Sequence, residues 1–212
     1  MKRSLLFFAL CAGIFTAKAQ TTPPANTPTP TKGSSFQDSV RAEQAVAKTV
    51  MINGAPMNTA MDFIENLTQS KSFTTFLAAA RAANMVGTFK SRGPLTLFVP
   101  PDSIFKKQLG YRYDTLMAPN HKYDLINLLS YHAVAGKFYA KDLAKLIKQG
   151  NGEASLLTLS GSKLTARMDA NRNIVLYDET GGQSTVAQIN IEQSNGLIHT
   201  VTRVLIPKNK AL

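Results

Sequence analysis

The side chains best suited to chemistry are few in this chain and far apart. Its histidines are His121, His132 and His199. A metal centre needs imidazole, thiolate or carboxylate ligands at short fixed spacings, such as two histidines one helical turn apart. No H-x-H or H-x-x-x-H pair occurs. The single cysteine, Cys11, lies near the start, so the rest of the chain has no thiol nucleophile, no disulfide and no cysteine metal site. Hydrolysis would need a carboxylate pair or a Ser-His-acid set. Asp102, Asp124, Asp142 and His132 are the candidates, and folding would have to gather them. The sequence therefore predicts no catalytic, cofactor-binding or metal-ligating residue. For His132 it predicts a structural role, a buried imidazole satisfied by a backbone carbonyl or a hydroxyl, and for His199 a structural role in place of a catalytic one.

The element that must organise the remainder is Gly93 to Phe105, GPLTLFVPPDSIF. Gly93-Pro94 turns the chain. Leu95 to Val99 is a short apolar, β-favouring run and reads as a buried strand. Pro100-Pro101 stops it, because proline cannot donate to a ladder. Asp102 is a good N-cap for a helix over Ser103 to Gln108. Phe98 and Phe105 are expected to pack into one core.

The ends of the chain have other compositions. Lys2-Arg3, the apolar run Leu5 to Phe15 and Ala17-Lys18-Ala19 have the form of a signal peptide cleaved after Ala19. That run is too short to span a bilayer. Residues 20–45 are a flexible tether, and Gln20 to Ser35 is rich in Pro and Thr with too little apolar bulk to fold. The folded domain is expected over residues 46–208, with a short tail over 209–212. The formal net charge is +11, and removal of Lys2, Arg3 and Lys18 leaves +8. Such an excess suits nucleic acid, anionic polysaccharide or a membrane surface, unless it is merely dispersed over the surface.

Within the domain, Lys48 to Met51 followed by Asn53-Gly54 reads as a strand and a turn. Helices are expected over Met61 to Leu67, from Ser72 as cap to about Met85, over Lys122 to Ser130 and over Asp142 to Lys148. Lys141, Lys145 and Lys148 line the outer face of the last one and read as solvated. From Ala154 short β-favouring runs recur about every ten residues. They cover Ser155 to Leu159, Lys163 to Met168, Ile174 to Tyr177, Val186 to Glu192 and Leu197 to Leu205, and predict a β-meander. Asn195-Gly196 carries a hairpin signal of type I′, which requires positive φ at both residues.

Three ordered segments resemble the signatures of the fasciclin-like domain family. Thr96 to Phe105, TLFVPPDSIF, is similar to T-x-F-A-P-T-N-x-A-F, with Pro101 in place of Thr and Asp102 in place of Asn. Leu129 to Lys137, LSYHAVAGK, resembles L-x-Y-H-V-V-x-G-x. Asn195 to Pro207, NGLIHTVTRVLIP, resembles N-G-V-I-H-V-I-D-x-V-L-x-P, with Thr202 where the family has Asp. The resemblance implies an α+β fold, a wedge built on a small β-sandwich with several helices packed on it. Phe98, Pro100, Asp102, Phe105, Asn195, Gly196 and His199 are then structural motif residues. It also implies an exported, periplasmic or extracellular adhesion module without enzymatic activity. Its partner would be a cell-surface or matrix protein or an acidic glycan, with no nucleic acid, no transmembrane segment, no cofactor and a monomeric chain. Tyr131 and His132 become candidate interaction residues, since the Tyr-His segment of animal relatives has been implicated in integrin-type adhesion. The alternatives are an envelope polysaccharide hydrolase and a carrier of a small apolar ligand.

Overall fold

The computed structural model describes residues 48–91 and 93–208. The expected signal peptide, tether and tail lie outside the described residues. The chain opens with the hairpin β1 (Thr49–Ile52) and β2 (Ala55–Asn58). Asn53 and Gly54 turn it with φ of 48° and 77°, the pair of positive values that a type I′ turn requires. Helix α1 (Phe63–Gln69) starts on a capping box: Glu65 N–H donates to the Asp62 carboxylate, and Asp62 N–H donates to that of Glu65. Helices α2 (Thr74–Ala82) and α3 (Val86–Ser91) follow, then strand β3 (Leu95–Val99). Next come α4 (Asp102–Leu109), α5 (Arg112–Met117), a 3-10 turn at Pro119–His121, and α6 (Lys122–Tyr131). Strand β4 (Ala133–Ala135) leads to α7 (Ala140–Gln149). The rest is β5 (Glu153–Leu157), β6 (Lys163–Met168), β7 (Ile174–Tyr177), β8 (Gln183–Thr185), β9 (Ile191–Gln193) and β10 (Gly196–Thr200).

Two four-stranded sheets carry the architecture. One has the order β4-β3-β10-β9, with β10 parallel to β3 and the other pairs antiparallel. The other is the antiparallel meander β5-β6-β7-β8. Single bridges, Val134 to Thr158 and Val186 to Val201, tie the two sheets at their corners. The fold is α+β, as expected. Among the described residues no helix is long and apolar enough to cross a membrane.

Two apolar clusters fill the structure, and strand β3 separates them. Leu95, Leu97 and Val99 face a helical core with Phe63, Phe73, Phe76, Phe89, Phe105 and the leucines of α6. Phe98 points the other way, into a core between the sheets and α7 that contains Tyr131, Leu143, Ile147, Leu164 and Leu176. This corrects the expectation that Phe98 and Phe105 share one core. Side chains alternate across a strand, and α4 lies on the side of residues 95, 97 and 99.

Two further expectations are corrected. The run Val186 to Glu192 is not one strand. Val186 directly follows β8 and bridges Val201, and strand structure resumes only at Ile191 in β9, which lies in the other sheet, with Asn190 at φ 58° in the connection. Asn195-Gly196 does not form a type I′ turn, because neither residue has positive φ. Gly196 pairs with Gln193, so Ser194 and Asn195 make the turn and Gly196 is already in β10. Glycine is required there by contact: a β-carbon would overlap the Leu95 carbonyl oxygen and the Phe63 ring.

Candidate functional site

Tyr131 ends α6 and His132 caps it, which places both side chains between the cores. His132 Nδ1–H donates to the Leu128 carbonyl at 2.8 Å, and Nε2 accepts from Leu205 N–H at 3.0 Å. The second bond fixes the neutral tautomer with its proton on Nδ1. Burial lowers the His132 pKa to about 4, against the opposing pull of the Leu128 carbonyl and of Asp178. The Tyr131 hydroxyl donates to the Lys163 carbonyl at 2.8 Å and accepts from Glu179 N–H at 3.1 Å. Burial pushes its pKa up. Both side chains are fully buried, so in this structure neither Tyr131 nor His132 offers a contact at the surface. Their bonds instead hold the interior together.

The bond from Leu205 is one of a series. From Val204 on, the extended segment after β10 is fastened by side chains from four positions. Val204 N–H and C=O bond to the Gln108 amide at 2.8 and 2.9 Å. Leu205 N–H is held by His132, Ile206 N–H by Asp178 at 3.1 Å, and Lys208 N–H by Glu179 at 2.9 Å. Asp178 is buried and also accepts from Thr180 N–H, the Thr180 hydroxyl and Gly182 N–H. Sequence reasoning missed Asp178 and Gln108. The run Asp178-Glu179-Thr180-Gly181-Gly182 has the form of an Asx turn and signals the local bonds of Asp178, but not its hold on Ile206.

The other motif residues are structural in detail. The His199 ring stacks on Phe98 with centroids 5.7 Å apart. Its Nε2–H donates to the Phe138 carbonyl at 2.9 Å, and Nδ1 accepts from Asn190 N–H at 3.3 Å. Burial lowers its pKa, opposed by the Phe138 carbonyl. Pro100 is buried at the end of β3. The Asn195 side chain joins three elements: Nδ2 donates to the Phe89 and Lys90 carbonyls at 2.7 and 3.2 Å, and Oδ1 accepts from Phe63 N–H at 3.2 Å. Asp102 is corrected. It is the first residue of α4 and caps α2 instead, accepting from Thr74 N–H, the Thr74 hydroxyl and Thr75 N–H at 3.1, 2.6 and 2.8 Å. Ser72, the expected cap of that helix, donates its hydroxyl to the Asn53 carbonyl at 2.8 Å.

The hydrolase candidates are each engaged elsewhere. Asp102 caps α2, Asp142 accepts from Tyr139 N–H at 3.0 Å, and Asp124 pairs with His121 at 3.0 Å. Among the described residues no group of three or more His, Cys, Asp and Glu side chains could hold a metal ion.

What is open to a partner is the surface. A groove of about 530 Å³ runs between the end of α2, α3 and α6, with Met85, Thr88, Lys122, Tyr123 and Ile126 among its walls. Tyr123 there is 84% exposed. A second groove of about 310 Å³ lies between α4 and the segment after β10, lined by Ile104, Lys107, Gln108, Thr202 and Arg203. On α7 the exposed Lys141, Lys145 and Lys148 face outward, as expected. Lys137 and Lys141 also hold their ammonium groups 5.4 and 5.5 Å from the centre of the Tyr139 ring.

Comparison with known proteins sets this arrangement beside others. A family model described as the fasciclin domain matches residues 71–207. Protein sll1483 of Synechocystis sp. is 27% identical over 164 residues, which cover 77% of this chain and 83% of that protein. The uncharacterized protein sll1735 of the same organism is 30% identical over 145 residues, covering 68% of this chain and 97% of that protein. Periostin of Homo sapiens is 30% identical over 144 residues, 68% of this chain but 16% of periostin. Among solved structures, a FAS1 domain pair from the insect cell adhesion molecule fasciclin I matches with a TM-score of 0.61 at 17% identity, covering 76% of this chain and 60% of that one. The last likeness concerns the fold.

Proposed function

The chain belongs to the fasciclin domain family, and from that premise we propose that it is an exported, non-enzymatic interaction module for a cell-surface or matrix protein or an acidic glycan. One observation carries this reading. The side chains with the most chemical potential, His132, His199, Tyr131, Asp102 and Asp178, spend their hydrogen bonds inside the protein. A general base must reach a substrate proton and a nucleophile must reach a carbon, and these groups face backbone. The exposed lysines and shallow grooves remain, and such surfaces recognise partners by charge and shape. The fasciclin I domain pair, which shares this fold, comes from a cell adhesion molecule, which agrees with a role in contact.

The sequence features ahead of the domain fit the same role. A signal peptide cleaved after Ala19 would deliver a monomeric chain to the periplasm or beyond. A Pro- and Thr-rich tether over residues 20–45 would hold the domain away from whatever its start is attached to. Intact mass of the exported protein should show Gln20 as its first residue. A lipid-modified species beginning at Cys11 would contradict this.

The full chain should bind cell-envelope or matrix preparations, with affinity falling between low and physiological salt. It should show no turnover on ester, peptide or glycoside panels. Turnover lost in His132→Asn or His199→Asn variants that still fold would reject the reading.

A further inference from the structure

The groove between α4 and the segment after β10 offers hydrogen-bond donors and cations but no carboxylate. Lys107 and Arg203 stand at its walls, both exposed. Neither makes an ion pair among the described residues. Gln108 uses both atoms of its amide on Val204. The Thr202 oxygen accepts from Thr185 N–H at 2.9 Å, which leaves its hydroxyl proton to donate outward. None of the five lining residues is acidic.

The floor is also held rigid. Thr202 N–H donates to the Thr185 carbonyl at 3.1 Å. The Ser184 hydroxyl accepts from Arg203 N–H at 2.8 Å and donates to the Arg203 carbonyl at 3.1 Å. Val204 is held on both sides by Gln108. A pre-formed floor lowers the entropy lost on binding. An aspartate at position 202 is the informative comparison. A carboxylate there could accept the same Thr185 N–H, but it would place a negative charge between Lys107 and Arg203. Threonine keeps the structural bond and leaves both cations unpaired.

We propose that this groove binds the carboxylate or sulfate of an acidic sugar residue, with Arg203 and Lys107 pairing with the anion, Thr202 donating its hydroxyl, and Ile104 packing on the sugar ring. The inference rests on the reading of the chain as a module for an acidic partner, and it selects the glycan. Peptide recognition commonly borrows main-chain N–H groups. Here the N–H groups of Thr202, Arg203 and Val204 are already bonded. Only side-chain donors remain, and an oxyanion on a compact ring uses those. An arginine fork adds directionality to the charge.

The test is amide chemical-shift mapping and calorimetry on the full chain. The probes are oligogalacturonate, a sulfated oligosaccharide, a neutral oligosaccharide of equal length, polyglutamate and inorganic sulfate. One or both acidic sugars should shift the amides of Lys107, Thr202 and Arg203 and bind more weakly as salt rises, and which of them binds identifies the anion. Lys107→Gln and Arg203→Gln should each weaken binding about tenfold, the loss expected for a charge-assisted hydrogen bond. Thr202→Asp should abolish it with the melting temperature unchanged, because its carboxylate still accepts from Thr185. Lys148→Gln, on α7, should bind as the parent does. Parent-like binding by the Lys107, Arg203 and Thr202 variants overturns the proposal and leaves the module reading in place. So does polyglutamate binding as tightly as the sugars, or inorganic sulfate binding as tightly as either acidic sugar. Hydrolysis of the probe by the parent chain would reject the module reading instead.

Discussion

Asp102 lies 28 residues from Thr74, whose helix it caps. The residue type was legible in the sequence as an N-cap, but its target was not, because Pro101 and Asp102 also fit the start of their own helix. Tertiary packing brings the exposed N–H groups of α2 to the carboxylate. Burial opposes ionisation of Asp102, yet the bonds from Thr74 and Thr75 outweigh it and hold its pKa below the usual value. Its contribution to stability is therefore complete above the ordinary carboxylate pKa and is lost as pH falls through the lower folded value. Asp102→Ala should cost about 1–2 kcal/mol in denaturant melts at neutral pH, and Asp102→Asn less. An Ala variant as stable as the parent would refute the cap. His132 makes a sharper prediction. Its folded pKa is lowered to about 4, so between its ordinary value near 6.5 and that value the unfolded chain binds more protons. Stability from this group is complete above about pH 6.5 and erodes as pH falls, by about 2–3 kcal/mol at pH 4.5. Protonation would also turn Nε2 from an acceptor into a donor facing Leu205 N–H. Melts of the parent at pH 7.5 and 4.5 should show the loss, and His132→Asn should lack most of it. A parent with flat stability over that interval would contradict the prediction.

Local patterns revealed the elements whose signals are local. Leu95–Val99, Lys163–Met168 and Ile174–Tyr177 are strands with the bounds read from sequence. Each is a continuous or alternating apolar run between turn residues. Helices α3 and α5 escaped because they have six residues each, too few for an amphipathic period to show. The break within 186–192 escaped because both its ends favour β structure, and only the bridge from Val186 to Val201 marks where the chain passes from one sheet to the other. Asn195-Gly196 shows the converse: the dipeptide has the composition of a tight turn, but its role is packing. Asn195 links α1, α3 and β10 through its amide, and Gly196 lets β10 approach β3 and Phe63. Gly196→Ala should therefore cost about 1–3 kcal/mol or more through overpacking against backbone that cannot yield. Gly54→Ala, in the open β1–β2 turn, should cost about 1 kcal/mol from its positive φ alone. Measured side by side in urea, the two should differ in that order. A Gly196 variant as stable as the Gly54 variant would show that the strand spacing is not the constraint.

At the scale of the whole molecule the two cores are joined by elements that belong to both. Every residue of β3 and of β10 is buried, so these adjacent parallel strands are covered on both faces. Helix α6 gives Leu125, Leu128 and Leu129 to the helical core and Tyr131 to the other. The segment after β10 does the same, with Val204 in the first and Leu205 in the second. Neither core can open without exposing an apolar face of the shared strands. Removing the packing of α7 and the meander would uncover Phe98, and removing the helices would uncover Leu97 and Val99. Unfolding should therefore be a single transition, although the apolar clusters are two. Phe98→Ala and Phe105→Ala create cavities in different cores, and each should destabilise by about 3–5 kcal/mol. The informative measurement follows the Tyr131 ring resonances by NMR and far-UV circular dichroism together, because Tyr131 reports on one core and the helices on the other. In both variants the two signals should move together to a lower midpoint with an unchanged denaturant slope. If Phe98→Ala instead released the tyrosine signal at low denaturant while the helical signal persisted, the sheet core would be a separate unit of stability. The shared strands would then serve as a boundary between two folding units, not as their common wall.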